Sequence, residues 1–130
     1  MAEHPNVARL RDGYAAFARG DFAALNDLLA EDVMWHGGGR SQLSGEFRGR
    51  EAVYAYFGKV MEVTEGYLHL DLHAVFADDE HGAALVVTTA SRGGRSVTTN
   101  DVHVFHLCDG KVVEFWDAST DQYAFDEVIG

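Results

Sequence analysis

Acids and imidazoles alternate with aromatic residues near the end of the chain. Asp101, His103 and Phe105 occupy every second position of one run; Phe115 and Asp117 do so in the next. Asp109-Gly110 between the runs is a hairpin signal, so the two runs pair. A type I turn with Gly110 at a left-handed bulge sets Leu107 opposite Lys111, His103 opposite Phe115 and Asp101 opposite Asp117. One face then carries Asp101, His103, Phe105, Val113, Phe115 and Asp117, and the other carries Val102, Val104, His106, Val112, Glu114 and Trp116. A two-residue turn instead puts Val102 and His106 with Asp117. Both registers are open at this point, and Asp117 accompanies Phe115 in either. Only the first face joins apolar lining to a few convergent ionisable groups, as small-molecule pockets do. In an apolar hollow the charged form of Asp117 is disfavoured, so its pKa rises towards neutrality. A carboxyl poised there suits general acid or base work. His103 could orient an enolate oxygen or carry a proton. The plainer alternatives are an Asp117 that caps a C-terminal helix or pairs with a surface base, and a half-buried His103 bonded to backbone.

Other residues extend this set. Trp35 and His36 are neighbours on a short strand, so they face opposite ways. His36, beside three glycines, is expected at the rim as a further catalytic group, and Trp35 in the pocket or in plain core. Tyr14 and Phe17 on the first helix, and Tyr54 and Phe57 on the third, complete the expected substrate-binding lining with Asp101, Phe105 and Phe115. His69, Asp71 and His73 share one face of a strand and could hold zinc. Leucines fill the alternate face, so these three are read as facing water and no metal is expected. No base is placed to activate Cys108, which reads as inert. The glycine runs match neither a phosphate loop nor a dinucleotide fingerprint, and no cofactor is expected.

Helices and strands must position these groups. Val7, Leu10, Tyr14 and Phe17 recur at helical spacing. Gly20 ends that helix and Asp21 caps a second, with Phe22, Leu25, Leu28 and Leu29 as its stripe. Residues 32–36 read as a strand and 40–49 as a loop. A third helix runs from Arg50 to Val63, with Val53, Tyr56, Phe57, Val60 and Met61 inward. Tyr67 to Ala77 reads as a strand with Leu68, Leu70, Leu72, Ala74 and Phe76 on one face. Three more strands follow, at 83–91, 96–107 and 112–118, and a short helix at 121–128. Three helices and then a meander of long strands mean α+β. The helices should cover one face of a curved sheet, which forms a cone around a cavity.

The 130 residues suit one domain, 1–130. Apolar residues make up 47%, enough for a core and against disorder. A net charge of −11 repels phosphate backbones and anionic lipid surfaces, so nucleic acid and membranes are excluded as partners. No apolar run approaches the ~20 residues that span a bilayer. The acidic N-terminus and the single cysteine point to a cytoplasmic protein.

Five stretches carry a family resemblance: Tyr14 to Leu25 (YAAFARGDFAAL), Leu29 to His36 (LAEDVMWH), Gly45 to Val53 (GEFRGREAV), Phe105 to Asp117 (FHLCDGKVVEFWD) and Asp121 to Asp126 (DQYAFD). In this order the chain resembles the SnoaL-like, polyketide cyclase-like proteins of the NTF2-like superfamily. The resemblance implies the conical α+β fold and, in the cyclases, an acid/base Asp on the last strand assisted by a His on the strand before. Asp117 and His103 stand at those places. The superfamily also holds isomerases, epoxide hydrolases, dehydratases and proteins without catalysis. The ketosteroid isomerase pattern is broken: Tyr14 lies one residue nearer the Gly-Asp turn than that family's donor, and Gly37 replaces its general base. The epoxide hydrolase set is broken too, since the last hairpin carries no arginine. The expected reaction is proton abstraction next to a carbonyl in a small, largely apolar oxygenated molecule, leading to aldol cyclisation, isomerisation or dehydration. The alternative is a non-catalytic ligand-binding or dimerisation module. The face with Val102, Val104, Val112 and Trp116 is the expected homodimer surface.

Overall fold

Helix α1 (Pro5–Ala18) starts where His4 Nδ1 accepts the Asn6 N–H and Pro5 presets the first turn. The computed structural model in which this is seen describes residues 3–130. Gly20, at φ 69, turns the chain back. Asp21 then caps α2 (Phe22–Leu25) by accepting the Ala24 N–H at 3.0 Å. This helix is one turn long, so the expected stripe through Leu29 is not helical. Leu28 C=O accepts the Val112 N–H at 2.8 Å, which draws Leu29 into the sheet as the first residue of β1 (Leu29–Gly37).

β2 (Gly45–Arg48) pairs antiparallel with β1, where a loop was expected. Next come α3 (Arg50–Val63), β3 (Leu68–Ala77), β4 (His81–Arg92), β5 (Arg95–Cys108), β6 (Lys111–Ser119) and α4 (Gln122–Ile129). The six strands form one mixed sheet in the order β2-β1-β6-β5-β4-β3. Only β1 and β6 run parallel. Leu10 of α1 and Val53 of α3 belong to the same buried cluster as Val33, Val86 and Val112 of the sheet. Asp121 caps α4 by accepting the Ala124 N–H, so the capping role is not left to Asp117.

Two bulges decide which side chains face inward. In β3 the register shifts between Leu72 and Ala74. His73 is the extra residue, and beyond it the alternation inverts. Val75 is therefore buried, while Phe76, expected inside, is 60% exposed. Met61 of α3, also expected inside, lies exposed at that helix's outer edge. The β5–β6 hairpin turns on Asp109 (φ 50) and Gly110 (φ 78), a two-residue turn with both centres left-handed. Cys108 pairs with Lys111 and Leu107 with Val112, which corrects the expected Leu107–Lys111 register. Val113 then bulges, so His106 pairs with Glu114, Phe105 with Phe115 and His103 with Asp117. The turn alone would have turned Asp117 to the outer face; the bulge returns it to the inner one.

Candidate functional site

The inner face of the sheet and helices α1, α3 and α4 enclose a cavity of about 150 Å³. Its walls are largely apolar, led by Leu and Phe, and its ionisable groups Asp101, His103 and Asp117 converge from β5 and β6. Tyr14, Phe17, Trp35, Phe57, Asp101, His103, Phe105, Phe115 and Asp117 all line it, as expected. Trp35 faces inward and stacks on Phe115 with ring centres 3.7 Å apart. Phe57 meets Phe17 and Trp35 edge-on.

The polar wall is a chain of contacts. Tyr14 Oη and His103 Nδ1 lie 2.6 Å apart. His103, only 5% exposed, places Nε2 at 3.5 Å from Asp117 Oδ1. Asp101, beside them on β5, accepts the Thr88 hydroxyl at 2.8 Å and the Thr99 hydroxyl at 2.9 Å. Asp117 Oδ1 is buried and has no hydrogen-bond partner. The Asp117 side chain as a whole is 38% exposed, so water meets it from the other oxygen, through the cavity it lines.

These surroundings set the protons. Burial pushes the Asp117 carboxyl up from 3.8 to about 7, and the Asp101 charge adds to the rise. Burial pulls His103 down from 6.5 to about 4, against the opposing pull of Asp101, so the ring is neutral at pH 7. Burial and then the Asp117 charge raise the Tyr14 hydroxyl well above the ordinary tyrosine range. Tyr14 therefore keeps its proton. Assigning its hydroxyl as the donor to Nδ1 leaves the His103 hydrogen on Nε2, the nitrogen that faces Asp117.

Of the expected site residues, Tyr54 lies elsewhere, and His36 borders the cavity with its ring committed to the outer face. Trp35 takes the inward position on β1, so His36 must face out. There its Nε2 meets Glu114 Oε2 at 2.7 Å, its Nδ1 lies 3.4 Å from Glu46, and its ring stacks on Trp116. Tyr54 is not in the cavity wall; it stacks on Phe22 and donates to Asn26 Oδ1. Tyr56 takes the lining role instead, with its hydroxyl pushed up to about 12 by burial and then by the Asp117 charge. Its place three residues after buried Val53 was the available signal. Ser119, the last residue of β6, and Gln122, the first of α4, also line the cavity. The glycine run finds its reason here. A Cβ at Gly37 would stand 2.8 Å from the Leu43 carbonyl oxygen and 3.2 Å from the Tyr56 hydroxyl.

His69, Asp71 and His73 are exposed, as expected. His106 is exposed on the outer face, 3.8 Å from Glu114. Asp101, His103 and Asp117 offer ligand atoms within 4.8 Å of one another, a spacing that one divalent ion could span. Tyr14 and the two threonine hydroxyls also bond to His103 and Asp101.

The same architecture recurs in known structures. Bal32a, from a soil-derived mobile gene cassette, is 36% identical, with 96% of each chain covered and a TM-score of 0.91. A Xanthomonas campestris protein of unknown function with a cystatin-like fold is 28% identical, covering 98% of this chain and 99% of its own, with a TM-score of 0.89. An uncharacterised Mycobacterium tuberculosis protein is 28% identical over 125 residues, 95% of each chain. Residues 10–115, which carry both the α1 tyrosine and the histidine strand, match the SnoaL-like domain, and the chain belongs to that family.

Proposed function

We propose that the cavity binds a small, largely apolar oxygenated molecule and that Asp117 moves a proton on the carbon beside its carbonyl. The observation that carries this is the buried, unpartnered Oδ1 of Asp117 facing His103 Nε2 at 3.5 Å. That separation is too long for a good hydrogen bond, so the pair is not closed on itself, and the second Asp117 oxygen, which water reaches, is open to a ligand. With its carboxyl raised to about 7, Asp117 exists in both protonation states near neutral pH. As carboxylate it takes the proton from the carbon, leaving an enolate; as acid it returns that proton to carbon or to a leaving hydroxyl. His103, held by Tyr14, donates from Nε2 to the enolate oxygen, where the charge develops. Aldol cyclisation, isomerisation and dehydration all share this step.

Phenylacetone, one ring and a ketone, tests the step without knowledge of the natural substrate. The wild-type protein in D₂O is expected to exchange its α-hydrogens, read by NMR, and Asp117→Asn is expected to bind it without exchange. Equal exchange by the variant removes Asp117 from the mechanism.

The outer sheet face is the proposed contact between two copies of the chain. Leu85 and Val104 are each 36% exposed there, and Val104 pairs with Trp116. Val112, expected on that face, is fully buried inside because Val113 bulges, so the patch is smaller than its sequence suggested. Light scattering should give twice 14.3 kDa; a 14.3 kDa particle overturns the dimer. Among the described residues, no helix is long and apolar enough to cross a membrane. The single exposed thiol, Cys108, supports a reducing, cytoplasmic setting.

A further inference from the structure

We propose that this cavity takes a single-ring compound without an anionic group, and that Asp101 is the residue that turns anions away. The inference rests on the reading that the cavity is the binding site, and it adds size and charge to that reading.

Size comes from volume and from walls that are already committed. About 150 Å³ equals the apolar cavity known to hold benzene. The walls do not open easily. Trp35 lies flat on Phe115, and Phe17 is set edge-on against Phe57 at 5.0 Å. A ligand of three or four fused rings would have to break these contacts.

Charge comes from what faces the ligand. Among the described residues, no lysine or arginine lines the cavity, while two carboxyl groups do. Asp101 is 5% exposed, and its two oxygens are fixed by Thr88 and Thr99, neutral partners that leave its charge uncancelled. An entering anion would lose its water and meet that charge across a poorly screening interior. Asp101 thus acts as a specificity residue whose carboxylate is aligned by two hydroxyls and is not itself needed as acid or base.

Phenylacetone and phenylacetate are near-isosteres that differ in charge, and anthrone adds two rings to a ketone. Calorimetric titration at pH 7.5 should show phenylacetone binding at least ~30-fold more tightly than phenylacetate, with anthrone not binding. Asp101→Asn keeps the shape and both threonine contacts, since either hydroxyl can rotate to accept. It should narrow the ketone-to-acid ratio about tenfold. Phenylacetate binding within ~threefold of phenylacetone, anthrone binding more tightly than either, or an unchanged ratio in Asp101→Asn overturns the proposal. The wild-type comparison needs no variant, so a misfolded Asp101→Asn leaves the test intact. Phenylacetone that binds selectively but never exchanges its α-hydrogens sinks the acid/base reading and leaves this one standing. Exchange without charge selection does the reverse.

Discussion

Two acid–imidazole couples sit back to back on the same sheet. Inside, His103 faces Asp117 across 3.5 Å, and the carboxyl oxygen between them is unpartnered. Outside, His36 closes on Glu114 at 2.7 Å, with His106 at 3.8 Å from the same carboxylate. Residue types do not separate the couples, since each is a carboxyl and an imidazole. Surroundings do. On the outer face the two groups are partly covered, His36 22% and Glu114 32% exposed, and meet directly, so a charged pair keeps part of its hydration and gains little by forming. In the apolar cavity two charges would lose their water, so burial moves both groups towards neutrality, the acid up to about 7 and the imidazole down to about 4. The inner couple keeps its hydrogen-bonding capacity for something that enters, and the outer couple spends it on itself.

Substitution within each couple separates them most widely. Asp117→Asn should slow α-hydrogen exchange of phenylacetone by about 10²–10⁴-fold, the usual contribution of a positioned acid or base. Glu114→Gln should change that rate less than about twofold. Deleting Val113 should leave Asp117 opposite His103, because Val113 is the extra residue of the β5–β6 ladder and its removal closes the ladder without changing the pairs beyond it. Retained exchange is the expected result; a folded deletion variant that loses exchange shows that the bulge itself positions the carboxyl.

The pH dependence of stability offers a finer contrast. The folded Asp117 carboxyl holds its proton up to about pH 7, the unfolded one only to about 3.8. Its contribution therefore falls as pH rises through that interval. Folded His103 refuses a proton until about pH 4, while the unfolded ring takes one near 6.5, so its contribution falls as pH drops. Between pH 4 and 6.5 the two slopes oppose each other. Wild-type unfolding midpoints in urea should vary little there. Asp117→Asn should grow more stable with rising pH, by up to about 1.4 kcal/mol per unit, and His103→Gln should grow less stable. The His103→Gln slope should be the shallower, because Asp117 meets water within the cavity. Equal slopes of the same sign in both variants would refute the assignment. The smallest effect belongs to the outer couple: Glu114→Gln should cost less than about 1 kcal/mol in the same titrations.

The fold was readable where periodicity is strong. Val53, Phe57 and Val60 mark α3 by helical spacing alone, and both ends of that helix fall as expected. Asp101, His103 and Phe105 alternate cleanly and all point inward. Bulges were not readable, because they insert a residue without changing composition. Val113 is one valine beside another, and nothing in the pair says which one leaves the ladder. The expected inner face of the hairpin was right for Asp117 and His103, yet a different turn and a different bulge produce it. Val112 paid for that mismatch by being assigned to the wrong side. His73 hid the second bulge, since leucine alternation reads on through it to Phe76. The Tyr54 and Tyr56 exchange differs: helical spacing from Val53 already turned Tyr56 inward, and stacking on Phe22 draws Tyr54 off to the rim.

The parallel junction of β1 with β6 has a consequence for how the chain is made. Leu29 finds its partner Val112 far down the chain, and the capture of Leu28 by the Val112 N–H spans the same gap. A nascent polypeptide leaving the ribosome would carry its first two strands as a lone ribbon until nearly the whole molecule had been synthesised. Such long-range closure slows assembly, and it makes the final hairpin the keystone that admits the early segments to the sheet. The strand that bears Asp117 is thus also the one that completes the architecture around it.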